Sequence, residues 1–392
     1  MHILHVTTSF PKGPDDFSGV FVYRLIKAQI KHGTTCRVLC PYSSTADLTW
    51  PPDIDISRFQ YTSKKSYGLT DTPGGIPAAL KANPSLYLNV PNFLFQMARN
   101  IINLSRDVDL IHAHWSICGA MGALVKTLHK RPVVTTVRGS DIHRAKNARS
   151  YNLLHKLSIK GSSAVVCVSN SMLGNLLNTD SNYQDKFHFI PNGVDERFYS
   201  IKPHETIEPP IRFLFIGSLI ELKQVDLLIT ALSMLGNSGQ SWRLTVAGDG
   251  PQRSSLERLC KKLSIENTCT FLGQVPPSDV PDIIAKHHVI VLPSRREGRP
   301  NVILEAMAAA RLVIASDIPP CRELIQHKET GLLFDINSPR DLYQTLKDIF
   351  SNMETIPSIG INARNWMIAE GLTWDNCAQQ YIELYKKILE KS

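Results

Sequence analysis

The stretch Val289-Ile290-Val291-Leu292-Pro293-Ser294-Arg295-Arg296-Glu297-Gly298-Arg299-Pro300-Asn301-Val302-Ile303-Leu304-Glu305 decides how the rest of the chain is read. Its first four residues are an unbroken apolar run, the signature of a strand buried on both faces. A polar loop containing Gly and Pro follows, and then a helical pattern. Pro300 suits a first helical turn, where no backbone N–H is needed. The exposed N–H groups at such a helix start favour an anion. Glu305 then lies about one turn into the helix, where its carboxylate can accept hydrogen bonds from ribose hydroxyls. Glu297 stands in the loop, within reach of a sugar bound nearby. Two glutamates at this spacing are common by chance. The plainer reading, a capping Glu297 and a surface Glu305, is disfavoured by the buried strand before them and the Gly-Pro-Asn context between them.

Working outward, short apolar strings alternate with helix-length amphipathic stretches, the βα pattern of a parallel sheet. Strands are expected at 2–7, 36–40, 109–113, 132–137, 164–168 and 187–190, with helices at 20–31, 92–105, 117–129 and 149–159. The Pro-, Ser- and Tyr-rich stretch 41–90 reads as a long irregular excursion. Lys202–Pro210 reads as a linker, after which the pattern restarts. Strands are expected at 211–216, 242–247, 268–272, 288–292, 312–315 and 331–334. Helices are expected at 223–235, 252–263, 278–286, 300–310, 338–350, 356–369 and 374–391. The expected fold class is α/β, with two Rossmann-like doubly wound domains facing each other across a cleft. The domains are 1–200, a linker at 201–210, and 211–370. A C-terminal helix at 371–392 would pack back towards the first domain. Doubly wound sheets bind ligands at the carboxyl ends of their strands.

Composition agrees with a two-domain soluble protein. At 392 residues the chain exceeds one ordinary core. No apolar run approaches the ~20 residues that span a bilayer. Met1–Val6 reads as a first strand, not a signal peptide. The eight cysteines are scattered without a Cys-x-x-Cys pair, so reduced, buried thiols in a cytoplasmic protein are expected. Charge is uneven. Residues 1–200 carry 22 Lys+Arg against 13 Asp+Glu, a net of +9, whereas 201–392 carry 21 against 22, a net of −1. The basic half suits an anionic partner such as a membrane surface or a phosphorylated acceptor, and equally a merely solvated surface. Lys64, Lys65, Arg99, Arg106, Lys126, Lys130 and Arg131 are the residues that would meet such a partner. No nucleic-acid-binding signature is present.

Other residues carry chemistry less decisively. Gly248-Asp249-Gly250-Pro251 follows an apolar string, and its glycines permit tight backbone geometry beside a base or phosphate, or simply a βα turn. Lys223 sits at a strand-to-helix junction, where a cation can stabilise a diphosphate leaving group. Arg138-Gly139-Ser140-Asp141 follows a strand. Arg138 suits an acceptor phosphate or carboxylate and Asp141 a hydroxyl, unless the two simply pair with each other. His114 ends a strand, so that its side chain can look into a cleft, and His112 shares its face. Gly19 opens a helix. Asp53-Ile54-Asp55 has the spacing of a metal motif but falls in the irregular stretch and reads as coincidence.

The Glu297–Glu305 block resembles the E-x7-E signature of family 4 retaining glycosyltransferases, which have the GT-B fold. The resemblance extends over nearly the whole chain. It includes Phe17-Ser18-Gly19-Val20-Phe21-Val22, Ile111-His112-Ala113-His114-Trp115, Val137–Asp141, Ile190-Pro191-Asn192-Gly193-Val194-Asp195, Ile216-Gly217-Ser218, Lys223, Ala247–Pro251 and Gly331-Leu332-Leu333-Phe334. It implies that the second domain holds a nucleotide-diphosphate sugar, with Glu305 on the ribose, Glu297 on the donor sugar and Lys223 on the diphosphate. Gly217, Ser218, Gly248, Gly250, Gly298, Arg299, Pro300 and Asn301 would line that donor site. Gly19 would approach the diphosphate and His114 the sugar, with His114, Glu297 and Lys223 the catalytic set and Arg138 and Asp141 on the acceptor side. The sequence departs from the family at Ser218, where many members have Arg. Arg295, Arg296 or Arg299 would have to supply that cation. It also departs at Gln224, where Gly commonly follows the Lys, and near Pro319-Pro320-Cys321, which lacks a Gly-Gly pair. The expected activity is retaining, metal-independent transfer from a UDP- or GDP-linked sugar to an acceptor hydroxyl, in polysaccharide or glycolipid biosynthesis, with no cofactor. The expected acceptor is a sugar or a lipid-linked molecule. The expected location is the cytoplasm, peripherally on the cytoplasmic membrane face. A sugar-nucleotide 2-epimerase of the same fold and a non-catalytic sugar-nucleotide module are the alternatives.

Overall fold

The computed structural model describes residues 1–47, 49–62, 68–70, 72, 75–139, 141–142, 145, 148–236 and 239–391. Ser140, Lys64 and Lys65, named above, lie outside them. The chain divides into two compact units, Met1–Gly193 together with Trp374–Ser392, and Val194–Thr373.

Among the described residues, the first unit is built on a seven-stranded sheet. Its strands are β1 (His2–Val6), β2 (Thr35–Pro41), β3 (Asp55–Phe59), β4 (Leu110–His114), β5 (Val133–Val137), β6 (Ala164–Cys167) and β7 (Phe187–Phe189). They are all parallel, in the order β3-β2-β1-β4-β5-β6-β7. Side chains alternate between faces. Ile3, Val38, Leu110 and Val134 pack on one side with Leu25 and Ile26 of the helix Val20–Lys31 and with Ala378, Tyr381 and Tyr385 of the helix Trp374–Leu389. Leu4, Leu39, Ile111 and Val133 pack on the other with Phe93, Met97 and Ile101 of the helix Val90–Leu104. Lys31 and Asp375 add an ion pair at 3.0 Å between the first two helices.

The second unit repeats the plan with six strands among the described residues. These are β8 (Ile211–Ile216), β9 (Trp242–Ala247), β10 (Cys269–Gly273), β11 (Val289–Leu292), β12 (Leu312–Ser316) and β13 (Leu332–Phe334), in the parallel order β10-β9-β8-β11-β12-β13. Each sheet reverses its strand order once, between β1 and β4 and between β8 and β11. In doubly wound sheets those switch points are where ligands bind.

Two expectations need correction, the irregularity of 41–90 and the place of the linker. The stretch 41–90 is not wholly irregular: it contains β3, the helix Gly75–Ala82 and a 3-10 turn at Pro84–Asn89. Asp53 and Asp55 are ion-paired with Lys27 and Arg37 respectively, which accounts for both carboxylates without a metal. The unit boundary falls at Gly193–Val194, so the segment 201–210 lies inside the second unit. Phe198 and Ile207 belong to that unit's core. The buried Arg311 guanidinium donates to the Lys202 carbonyl at 3.1 Å while capping the carbonyls of Ile284 and Ala285, at the end of the helix Val280–Ala285. A helix at Asn170–Thr179, capped by the Ser169 hydroxyl, was also not expected.

Candidate active site

In the second unit, the loops that leave the two central strands and β9 interlock at one end of the sheet. The Gly217 N–H donates to the Ala247 carbonyl at 3.0 Å, and Leu219 N–H to the Asp249 carbonyl at 2.9 Å. A Cβ on Gly248 would lie 1.9 Å from the Gly217 carbonyl oxygen, and one on Gly250 would lie 2.5 Å from that of Leu219. Gly248 also has φ +139°. Neighbouring backbone therefore already accounts for both glycines. Ser218, the position without the family Arg, is exposed between them.

The loop after β8 continues through a short turn at Glu221–Lys223. Gln224 follows in the left-handed region, with φ 46° and ψ 45°, a conformation that Gly adopts without cost. The glutamine is held there by Arg295. Turned so that its carboxamide oxygen faces the guanidinium, it accepts from Nε at 2.8 Å and Nη2 at 3.1 Å. The Arg295 N–H also donates to the Leu222 carbonyl at 3.0 Å. The loops after β8 and β11 are thus tied together at the switch point. Of the three arginines considered for the missing cation, Arg295 is bound to the Lys223 turn.

Across that tie, Lys223 Nζ donates to Glu297 Oε1 at 2.5 Å, with side chains only 19% and 12% exposed. An ion pair this far from water interacts more strongly than a surface pair but needs good geometry to offset its desolvation. Arg299 and Asn301 lie beside it, partly buried, with Gly298, and the buried Pro300 precedes the helix Asn301–Ala308. Glu305 is half-buried on that helix. Arg197 lies near enough for Glu305 to stabilise its charge. The hydrogen bonds that the Arg197 guanidinium donates to the Asp195 carboxylate are the first cause that raises it, and Glu305 adds to them. Arg197 and Ser294, whose buried hydroxyl has no partner among the described residues, were both missed in the sequence. The signal for Ser294 was a lone hydroxyl following a wholly apolar strand.

In the first unit, the candidate residues gather at the carboxyl ends of β1, β4 and β5. Gly19 is the N-cap of the helix Val20–Lys31, with φ 70°, and a Cβ there would sit 2.2 Å from the Ser9 carbonyl oxygen. Phe21, two residues on, stacks under the Arg138 guanidinium at 3.9 Å, and Trp115 lies at 5.8 Å from it. Trp115 itself has φ 68° and ψ 153°, a costly conformation for a residue with a Cβ. It directly follows His114. Asp141 is fully buried. It accepts from the N–H groups of Arg138 at 2.7 Å and Ser116 at 3.0 Å and from the Tyr151 hydroxyl. It anchors the loop, and the Arg138 guanidinium is left to Asn192, at 3.4 Å. Burial lowers Arg138 to about 10, so it stays charged at neutral pH, and its Nε has no partner among the described residues.

His114 is completely enclosed rather than open to solvent as its strand-end position suggested. His112 shares its face, with ring centroids 4.2 Å apart. Burial is the first cause that holds both rings far below the ordinary imidazole value, and neighbouring positive charge adds to it. His114 is therefore neutral, a hydrogen-bonding group and not a cation. His112 is locked by Thr136 Oγ1 at 2.7 Å and the Tyr385 hydroxyl at 2.6 Å. His5 Nδ1 lies 3.1 Å from His114 Nε2. These partners were not legible in the sequence.

Residues 18–198 match the family model for glycosyltransferase family 4, and residues 197–366 match the model for glycosyl transferases group 1. The chain is 27% identical over 296 residues to N-acetyl-alpha-D-glucosaminyl L-malate synthase of Bacillus anthracis, covering 72% of this chain and 76% of that protein. Its fold resembles sucrose-phosphate synthase of Thermosynechococcus elongatus, with TM-score 0.82 and 19% identity over the full length of both chains. It also resembles HepE of Anabaena in complex with UDP-glucose, with TM-score 0.76 and 18% identity over 99% of this chain and 100% of that one. With two parallel α/β units of this kind, and with family matches that run from residue 18 to residue 366, the chain belongs to glycosyltransferase family 4 and has the GT-B class of fold.

Proposed function

We propose that the chain transfers a sugar from a nucleotide-diphosphate sugar to an acceptor hydroxyl with retention at the anomeric carbon. The observation that carries this reading is the half-buried Lys223–Glu297 pair at the β8–β11 switch point, with Arg295 tied to the Lys223 turn and the helix that bears Glu305 starting four residues beyond Glu297. Lys223 Nζ moves onto the diphosphate as the donor enters, and Glu297 is released to the hydroxyls of the donor sugar. Arg295, tied to that turn through Gln224 and Leu222, takes the place of the cation missing at Ser218. Glu305 accepts from the ribose. The bond from the anomeric carbon to the phosphate oxygen breaks with its electron pair on that oxygen. The acceptor oxygen bonds on the same face, and its proton passes to the departing phosphate. Lysine, arginine and helix N–H groups supply the positive charge, so no metal is needed in this route. HepE, solved with UDP-glucose, favours a uridine donor.

On the acceptor side, Arg138 takes a carboxylate or phosphate. A buried guanidinium flanked by aromatic rings and, among the described residues, hydrogen-bonded through its side chain by a long contact to Asn192 gains most from an anionic partner. The name of the Bacillus anthracis relative, an N-acetyl-alpha-D-glucosaminyl L-malate synthase, fits an anionic acceptor. We also propose peripheral attachment of a cytoplasmic protein to an anionic membrane. Among the described residues no helix is long and apolar enough to cross a membrane. However, Phe95 (61% exposed) lies one turn from exposed Arg99 on the helix Val90–Leu104, and Leu128 (67%) lies two residues from exposed Lys130. Apolar side chains beside basic ones suit an anionic bilayer surface.

The test is thermal stabilisation by UDP-, GDP- and ADP-sugars, followed by the anomeric configuration of the product. A specific donor raises stability by mass action. No stabilisation by any of them, or an inverted product, refutes the reading. Release of a free sugar derivative without an acceptor would indicate an epimerase instead.

A further inference from the structure

Gln224 stands where the loop after β8 hands over to a helix, and its backbone is strained. Its N–H donates to the Glu221 carbonyl at 3.2 Å, which ends the turn Glu221–Lys223. Its carbonyl accepts the Leu227 N–H at 3.1 Å, in the first turn of the helix Val225–Gly236. Between these two hydrogen-bonded turns the chain passes through φ 46° and ψ 45°. A residue with a Cβ is strained in that region, whereas glycine is not. Strain of this kind persists where the surroundings hold the residue, and it points to a use for the side chain.

The side chain is not needed to tie the two loops together. The Arg295 N–H already donates to the Leu222 carbonyl at 3.0 Å, main chain to main chain. What the carboxamide adds is placement of the guanidinium, since its oxygen accepts from Nε at 2.8 Å and from Nη2 at 3.1 Å. Two donors of one rigid, planar fork on one acceptor fix the group's position and direction together. Among the described residues the rest of the fork has no hydrogen-bond partner, and no carboxylate pairs with it.

The choice of partner sets the charge. A carboxylate would also orient a guanidinium, but it would compensate the positive charge. A carboxamide orients the group and leaves that charge whole. Lys223, the residue before Gln224, is in the opposite state, because its Nζ lies 2.5 Å from Glu297 Oε1 and its charge is already met. Lys223 is also largely buried, whereas Arg295 is exposed. Arg295 thus offers an accessible, oriented and uncompensated cation at the β8–β11 switch point. A planar fork of N–H groups matches the oxygens of a phosphate two at a time.

We infer that Gln224 is a positioning residue for anion binding: its strained backbone and neutral carboxamide hold the Arg295 guanidinium, undiminished in charge, for the diphosphate of the donor. This rests on the donor site proposed above, and it assigns a role there to a glutamine that touches no phosphate itself.

Calorimetry with UDP, GDP and ADP, together with thermal unfolding, tests this on the full chain. Arg295→Ala should weaken the nucleoside diphosphate that the wild type binds by about ten- to hundredfold, as expected for hydrogen bonds between charged groups. Gln224→Gly removes the guide and relieves the backbone. It should weaken the same ligand about three- to tenfold, while the melting temperature rises or stays within about 3 °C of the wild type. In the Arg295→Ala background the same change should alter affinity by less than about twofold, because the glutamine acts through the arginine. Gln224→Glu would tie the loops at least as well but compensates the guanidinium, so it should weaken binding about tenfold. That variant decides the matter if Gln224→Gly fails to fold. Wild-type affinity in Gln224→Glu overturns the inference, as does an equal loss from Gln224→Gly with and without Arg295. A melting temperature that Gln224→Gly lowers beyond the stated range also overturns it, since the side chain would then be a structural tie. A wild type that binds none of the three nucleotides refutes the donor site on which the inference stands, whereas binding that ignores these variants refutes the inference alone.

Discussion

Acidification from pH 7 to pH 5 should destabilise the first unit, and His5 allows the size of the effect to be worked out. Burial lowers this ring from 6.5 to about 3, with Gln29 opposing slightly. In the folded state it stays neutral, whereas in the unfolded chain it takes a proton below about 6.5. Between those values the unfolded state binds more protons, so the contribution is present above pH 6.5 and lost as pH falls towards 3. At pH 5 the gap is about 1.5 units, and at 1.36 kcal/mol per unit the loss is about 2 kcal/mol. The ring is fully buried, so solvent does not screen the effect. His112 and His114 are displaced in the same direction and add to it. Against a total of about 5–15 kcal/mol, this is a large fraction. The assay is urea unfolding at pH 7 and pH 5, followed by tryptophan fluorescence, in the wild type and in His5→Asn. Asparagine does not titrate, so the variant should lose about 2 kcal/mol less between the two pH values, whatever its stability at pH 7. Equal losses in the two proteins would refute the argument, because His5 would then not be a neutral, buried titrating group.

Three further outcomes are expected. Glu305→Ala should weaken nucleotide binding by roughly 1.5–3 kcal/mol, the worth of a hydrogen bond to a charged group, and unchanged affinity by calorimetry in a folded variant would remove the ribose assignment. Gly248→Ala places a Cβ 1.9 Å from the Gly217 carbonyl at φ +139°. It should cost about 3 kcal/mol or more and disturb donor binding, whereas Gly239→Ala, with φ +78° and open space around it, should cost about 1 kcal/mol. Vesicles containing anionic lipid should co-sediment the protein at low salt and release it as salt rises, because each basic residue near the surface contributes about 1 kcal/mol within a Debye length. Binding that ignores salt or lipid charge contradicts the attachment.

The architecture was legible wherever a strand is central. Val289–Leu292 and Leu312–Ser316 are buried on both faces, so they are apolar throughout and cannot be mistaken for loops. β3 was missed because it lies at the sheet edge. Asp55-Ile56-Ser57-Arg58-Phe59 is mostly half-exposed and carries polar residues. The helix Asn170–Thr179 was missed because its opening residues are polar. The linker was misplaced because Lys202–Pro210 has a linker's composition but supplies Ile207 to a core and a carbonyl to Arg311.

The sequence by itself determined two parallel α/β units, the family and the residues placed at strand ends, because those features depend on local apolar runs and on the order of short motifs. It could not determine what those residues touch. Lys223 and Glu297 are 74 positions apart, His5 and His114 are 109 apart, and Gln29 and Tyr385 are 356 apart. Each meeting follows from strand order: β1 lies beside β4, β8 lies beside β11, and the last helix packs on the first. Hydrogen bonds and ion pairs act over a few ångströms, so their partners, and with them the protonation state of His114, are set only when the sheets have closed.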